Sequence, residues 1–156
     1  MNTTLIAIKM TGRTATAAVY IGRELHYIEV RQLVSDLSQA KNSLVGFISS
    51  LIEHFRIDSA ASPHSAEDTR AQALTLAMLA LLREKVIPHW TINQKILFEA
   101  YSEVPLRKTI QLRDVVRNYW PHIIDERDEG TCLDAAALGL YIQTERLLSN
   151  NSSSQQ

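Results

Sequence analysis

Two residues of opposite charge, Lys9 and Asp134, lie where a predicted strand ends and a predicted helix begins. Lys9 follows the apolar residues 5–8, and Asp134 opens the small-residue run 135–141. A carboxylate placed there could ligate a divalent metal, cap its helix or pair with a cation. Hydrolysis with two Mg²⁺ ions needs several converging acids, because the ions sit about 4 Å apart and need charge compensation. The lysine therefore favours an ion pair over a metal site.

Alternating apolar residues predict the strands that must position these two charges. The predicted strands cover residues 5–10, 14–21, 24–30, 57–62 and 86–92. Short turns containing Gly12 and Gly22 suit antiparallel hairpins between the first three strands.

Apolar residues at helical spacing predict helices between and after these strands. The predicted helices cover residues 43–55, 67–85, 93–102, 109–120 and 132–148. The helix at residues 67–85 is apolar nearly all round in its middle, which predicts deep burial. Residues 149–156 are a polar tail of Ser, Asn and Gln that is predicted to be disordered. Residues 1–148 are predicted to form a single α/β domain.

The order of these elements predicts a mixed five-stranded sheet with helices on both faces. Three antiparallel strands come first, and a βαβα arrangement follows them. That opening meander, the small-residue helix at residues 71–82 and the motif LDAAALGLY at residues 133–141 resemble the RNase H-like superfamily. Within that superfamily they resemble the RuvC-type Holliday-junction resolvases. The resemblance implies a dimer formed through helices on one face of the sheet.

The resemblance also implies where metal-binding acids would stand in an active nuclease. They would lie at the end of the first strand, at the end of the fourth, and at two positions one turn apart opening the last helix. Carried over by position, these sites are Lys9, Ser62, Thr131 and Asp134, so only Asp134 is acidic. These positions therefore predict no catalytic residue and no metal ligand. Mg²⁺ or Mn²⁺ would be a cofactor only if the chain had kept nuclease activity.

Asp134 is open to three interpretations. Pairing with Lys9 would fill the vacated site with an ion pair and is the preferred one. Thr131 and Asp134 also form a pattern like a capping box, with an acid in the first turn of a helix. Metal ligation would need substitute acids, for which Glu67 and Asp68 are the candidates. For both of these, the preferred explanation is an acid in the first turn of a helix.

One concentration of basic residues lies ahead of the last helix. It consists of Lys95, Arg107, Lys108, Arg113 and Arg117. The resemblance implies that this region lends basic residues to a DNA cleft. The alternative is a solvated helix face, with Asp114 interleaved among the bases.

The composition excludes several other functions. Sixteen basic and seventeen acidic residues give a net charge of −1, so no overall field attracts nucleic acid. The five histidines lack metal-ligand spacing, and no phosphate-binding glycine loop occurs. The single cysteine fits a reducing compartment. No leader is visible and no apolar run is long enough to span a membrane, so a cytoplasmic protein without membrane contact is expected.

These features predict a catalytically inactive RuvC-like domain, a pseudoenzyme that acts as an interaction or structural protein. A homodimer and a further protein partner are expected. The alternative is a divergent nucleic-acid-binding protein, or a metal-dependent nuclease of the resolvase type that uses Asp134 with Glu67 or Asp68. That alternative would bind branched DNA.

Overall fold

One five-stranded sheet runs through the structure, a computed structural model that describes residues 3–64, 68–101 and 129–154. The strands are β1 (Thr4–Met10), β2 (Thr14–Ile21), β3 (Glu24–Gln32), β4 (Ser59–Pro63) and β5 (His89–Ile92). Their order across the sheet is β3-β2-β1-β4-β5, so β3 and β5 lie at its edges. Strands β1, β2 and β3 pair antiparallel, whereas β4 pairs parallel with β1 and β5 pairs parallel with β4. The predicted mixed α/β sheet is therefore confirmed.

The four described helices begin and end at different residues from those predicted. They are α1 (Leu37–Phe55), α2 (Thr69–Glu84), α3 (Gln94–Ala100) and α4 (Glu129–Ser154). Helix α1 starts before residue 43 because the Asp36 carboxylate accepts a hydrogen bond from the Gln39 N–H and caps it. It ends at Arg56, which takes a left-handed conformation with φ of 54°. The predicted helix at residues 109–120 lies outside the described residues.

Helices cover both faces of the sheet, as predicted. On one face, residues such as Ile8 and Ala17 pack with Leu44 of α1 and Leu74 of α2. A second cluster joins the other face to α3 and α4. Its buried members are Leu5, Ala7, Ala18, Tyr20, Ala61, Leu97, Leu133, Ala135, Ala137, Leu138 and Ile142. Burial on both faces explains why β1 and β2 are almost continuously apolar.

Helix α2 is buried along one side only, so the prediction of deep burial was wrong for its other side. Its buried residues are Ala71, Leu74, Met78, Leu81 and Leu82. Leu76, on the opposite side, is 67% exposed. A helix in the outer layer of a sheet domain contacts that domain on one side, and the sequence of α2 does not show which side this is.

Helix α4 runs through Ser154, past the predicted end at residue 148. It therefore includes most of the segment predicted to be disordered, because adding residues to an existing helix costs less than starting one. None of the described helices has an apolar stretch long enough to cross a lipid bilayer.

Helix α4 approaches the sheet very closely at Gly139. An ideal Cβ on Gly139 would lie 2.4 Å from Cε2 of Tyr20 and 3.3 Å from Cβ of Ala7. The Tyr20 hydroxyl donates a hydrogen bond of 2.7 Å to the carbonyl of Ala136 one turn earlier. Burial raises the pKa of that phenol far above its usual value, and Tyr101 adds to the effect. The neutral Tyr20 hydroxyl therefore helps to set the distance of α4 from the sheet and its position along β1 and β2.

Gly139→Ala should destabilise the fold by about 1–3 kcal/mol, because the added methyl group must displace the buried Tyr20 ring. Gly46→Ala in α1 is the matched control, since its Cβ would meet nothing within 4 Å. That variant should be neutral or more stable by up to about 1 kcal/mol. Urea unfolding measures both changes, and an equal response of the two variants would contradict the close contact.

Candidate functional site

Lys9 and Asp134 form an ion pair where β1 ends and α4 begins. The Lys9 Nζ lies 3.8 Å from Oδ2 of Asp134. The Asp134 side chain is only 5% exposed, whereas that of Lys9 is 24% exposed. The predicted ion pair between Lys9 and Asp134 is thus present in the structure.

The alternation of β1 explains how the lysine reaches this place. Leu5 and Ala7 both belong to the cluster under α3 and α4. Side chains two residues apart in a strand share a face, so Lys9 continues the same row toward the carboxyl end of β1. The contact of Gly139 with Tyr20 sets α4 over this row and brings Asp134 to its end.

Ser62 lies on the other face of the sheet from Lys9. Ala60 belongs to the cluster under α1 and α2, and Ser62 follows it by two residues. The Ser62 hydroxyl is 2.8 Å from the Nε2 of His89, whose pKa is lowered because burial disfavours the charged imidazole. Ser62 therefore does not share the face of the sheet on which Lys9 and Asp134 meet. The parity of β4 is not visible in its sequence.

Thr131 lies inside α4, which begins at Glu129, so it is not the residue that precedes the helix. The capping-box interpretation of Thr131 and Asp134 was therefore wrong, since that motif places its threonine at the cap. Thr131 still belongs to the first turns of α4 next to Asp134, as the resemblance implies.

Asp68 acts as the cap of α2 in this structure. Its carboxylate accepts a 3.0 Å hydrogen bond from the N–H of Arg70, which agrees with its interpretation as an acid at a helix start. The same carboxylate packs against Gly12, where an ideal Cβ would lie 2.5 Å from Oδ2. Glu67, the other substitute acid, lies outside the described residues.

Arg70 is a positioning residue that sequence reasoning missed. Its Nε donates to the Gly12 carbonyl at 2.5 Å, and its Nη1 donates to the Ser35 carbonyl at 2.8 Å. Its Nη2 also donates to the Val34 carbonyl. The guanidinium therefore ties the β1–β2 turn, which follows Lys9 in the chain, to the loop before α1. The sequence carries no signal for these contacts, because they join distant segments.

Thr16 is a second residue of the site that sequence reasoning missed. It lies directly opposite Lys9 in the β1–β2 pairing and is fully buried. Its Oγ1 has no hydrogen-bond partner among the described residues. A polar residue between Ala15 and Ala17 was the available signal. The register places the Thr16 side chain on the same face of the sheet as that of Lys9.

The predicted basic group is described only in part. Lys95 lies exposed near the start of α3, where Asn93 caps the helix by accepting from the Lys95 N–H. The other members, Arg107, Lys108, Arg113 and Arg117, lie outside the described residues. Over the described ranges, no group of three or more His, Cys, Asp or Glu side chains is arranged to hold a metal ion.

Comparison with solved structures identifies the fold. The chain is similar to Thermus thermophilus RuvC in complex with a Holliday junction, with a TM-score of 0.75 at 13% identity over 93% of this chain and 96% of that one. It is similar to Ydc2, the yeast mitochondrial Holliday junction resolvase, with a TM-score of 0.68 at 12% identity over 98% and 84% of the two chains. The Fowlpox virus resolvase, solved with junction DNA, gives a TM-score of 0.57 at 12% identity over 92% and 99%.

No family model matches the sequence, and no curated protein matches it. At 12–13% identity the structural likeness defines the fold, which is RNase H-like and of the RuvC type. The resemblance carried by the opening meander and residues 133–141 is thereby confirmed at the level of the fold.

Lys9→Met should lower the free energy of unfolding by about 1–3 kcal/mol, because it removes a cation that lies 3.8 Å from the buried Asp134 carboxylate. Adding Asp134→Asn should recover part of that loss, with a coupling energy of about 1–2 kcal/mol in a double-mutant cycle. Chemical denaturation of the four proteins measures the cycle.

Lys85→Met is the matched control for this cycle. Lys85 has a similar exposure of 27%, but its partner Glu53 is 73% exposed and the ions lie 3.4 Å apart. Loss of that surface pair should cost less than about 1 kcal/mol. If Lys9→Met and Lys85→Met lowered the free energy of unfolding equally, and Lys9 showed no coupling to Asp134, burial of the Asp134 carboxylate would not strengthen its ion pair.

Proposed function

We propose that this chain is a single resolvase-like domain without nuclease chemistry, and that it works as an interaction or structural protein. The observation that carries the proposal is the ion pair between Lys9 and Asp134 at the end of β1. The ammonium of Lys9 stands where the resemblance implies the first metal-binding acid.

Electrostatics supports this proposal. A divalent ion needs carboxylates around it, and two unit charges 4 Å apart interact by about 4 kcal/mol at an effective dielectric constant near 20. The ammonium of Lys9 would repel a metal ion by an amount of that order, and it already neutralises Asp134. Recruiting the metal would therefore require breaking the ion pair.

The other positions implied by the resemblance support the same proposal. The end of β4 carries Ser62 and Pro63, and the start of α4 carries Thr131. None of these side chains can act as an anionic ligand at neutral pH. A reducing cytoplasmic location belongs to the same proposal, and the one thiol, that of Cys132, is buried.

Helix α2 supplies a candidate surface for a homodimer. Leu76 is 67% exposed at the middle of its outer side, and the exposed Ala80 follows one turn later. An apolar stripe of this kind on an outer helix can be buried against its own copy through a two-fold axis. Such a contact would give the domain a structural role that needs no catalysis.

Leu76→Cys should form a disulfide-linked dimer under mild oxidation, because a two-fold contact at α2 brings the two thiols together. Val86→Cys, at a position that is 86% exposed beyond the end of α2, is the control for random collision. Non-reducing electrophoresis measures the dimer fraction against time. Equal rates for both variants would count against a dimer through α2.

A second candidate function is binding of branched DNA without cleavage. Two of the similar structures, those of Thermus thermophilus RuvC and the Fowlpox virus resolvase, contain Holliday junctions. In this chain the basic group of Lys95, Arg107, Lys108, Arg113 and Arg117 would contact the phosphates. Phosphate contacts would make the affinity fall steeply with salt.

A titration of labelled four-way junction and matched duplex with Mn²⁺ present separates the candidates. The interaction-protein proposal expects no cleavage and no preference for the junction. Preferential, salt-dependent binding of intact junction would favour the second candidate, and Lys95→Ala should then weaken it. Cleavage of the junction that disappears in Asp134→Asn would contradict the proposal that the chain lacks nuclease activity.

A further inference from the structure

Ser62 and His89 form a hydrogen bond that the proposed function does not use. The register of β4 and β5 places Ala60 directly beside His89. Ser62 follows Ala60 by two residues, so its side chain shares a face of the sheet with that of His89. Ser62 is 4% exposed, and its Oγ lies 2.8 Å from Nε2 of His89. A serine hydroxyl is thus held within proton-transfer distance of an imidazole.

The imidazole of His89 has the protonation state that a general base needs. Burial disfavours its charged form and lowers its pKa, so the ring is neutral near neutral pH. A neutral ring with its proton on Nδ1 accepts a hydrogen bond at Nε2, and the Ser62 hydroxyl is then the donor. In that tautomer His89 can take the hydroxyl proton when Ser62 attacks an electrophile.

A small cavity lies beside Ser62 at the carboxyl end of β4. Its volume is about 50 Å³, and its wall contains Ser62, Pro63, His64 and Thr75. The cavity borders the surface at His64, which is exposed. A cavity needs roughly 10–15 Å³ to hold one water molecule. This one can therefore hold a group of a few heavy atoms against the serine.

Ser62 is the hydroxyl residue of this wall that has an imidazole partner among the described residues. Thr75, which also lines the cavity, donates a 2.8 Å hydrogen bond to the Ala71 carbonyl in its own helix. A neutral amide carbonyl is too weak a base to take up that proton. Ser59, earlier in β4, accepts a hydrogen bond from Arg146, and a cation on the oxygen lowers its nucleophilicity. Ser62 alone of these three combines a base with open space.

We propose that Ser62 and His89 act as nucleophile and general base, and that Ser62 accepts short acyl groups from activated carboxylic esters. The cavity beside Ser62 would hold an acyl group of about acetyl size. The pair lies on the opposite face of the sheet from Lys9 and Asp134. This activity therefore goes beyond the proposed function and does not rest on it.

The reaction balances within this pair, the ester and water. Oγ of Ser62 forms a bond to the acyl carbon while Nε2 of His89 takes the hydroxyl proton. The bond between the acyl carbon and the leaving oxygen then breaks, and the imidazolium gives its proton to the departing alcohol. A water molecule that transfers its proton to Nε2 attacks the acyl-serine in the same way. That step releases the carboxylic acid and restores the Ser62 hydroxyl.

The test treats the full chain with p-nitrophenyl acetate, follows release of p-nitrophenolate, and traps the acylated protein with acid for mass spectrometry. Peptide mapping should place an acetyl group on Ser62, and Ser62→Ala should remove it. His89→Gln keeps a hydrogen-bonding side chain but no base, so it should slow acetylation of Ser62 at least about 100-fold. p-Nitrophenyl octanoate should fail to acylate Ser62, because its chain is too long for the cavity.

Ser59→Ala is the matched control, because Ser59 is a serine of the same strand, is 1% exposed and donates its hydrogen bond to Asp58. It should leave acetylation of Ser62 unchanged. Circular dichroism verifies that each variant is folded, and mapping of the wild-type protein is decisive even where a variant fails to fold. Acetyl groups found only on other side chains, or equal rates at Ser62 in wild type and His89→Gln, would overturn the proposal.

Discussion

The buried carboxylate of Asp134 sets the central constraint on this structure. A carboxylate that is 5% exposed must be paired, hydrogen-bonded or neutralised, because its desolvation costs several kcal/mol. In a two-metal nuclease, metal ions would compensate such a carboxylate. Here the ammonium of Lys9 supplies the compensation from β1, so the sheet and α4 are held together at this point by a charge that belongs to the chain itself.

Close packing elsewhere makes that pairing possible. Gly139 lets α4 descend onto Tyr20, and the Tyr20 hydroxyl holds the Ala136 carbonyl. Arg70 ties the turn after β1 to the loop before α1. These contacts fix the two ends of the ion pair.

Much of the architecture could be predicted from the sequence, because apolar alternation and small-residue spacing are local signals. Lys9 and Asp134 could be paired in advance, since both follow recognisable motifs. The face of β4 on which Ser62 lies could not be predicted, because a short run of small residues shows no alternation of apolar and polar residues. The contacts of Arg70 and the exposed side of α2 depend on distant segments. Such features need the tertiary structure.

Calorimetric titration of Mn²⁺ into the wild-type protein and into the double variant Lys9→Asp and Thr131→Asp tests most directly whether Lys9 keeps metal away from Asp134. No binding heat is expected for the wild type. Measurable binding is expected for the double variant, where three carboxylates including Asp134 would converge. Lys95→Asp, which adds an acid on the exposed surface of α3, should behave as the wild type does. Mn²⁺ binding by the wild-type protein that disappears in Asp134→Asn would show that Asp134 still ligates a metal despite Lys9.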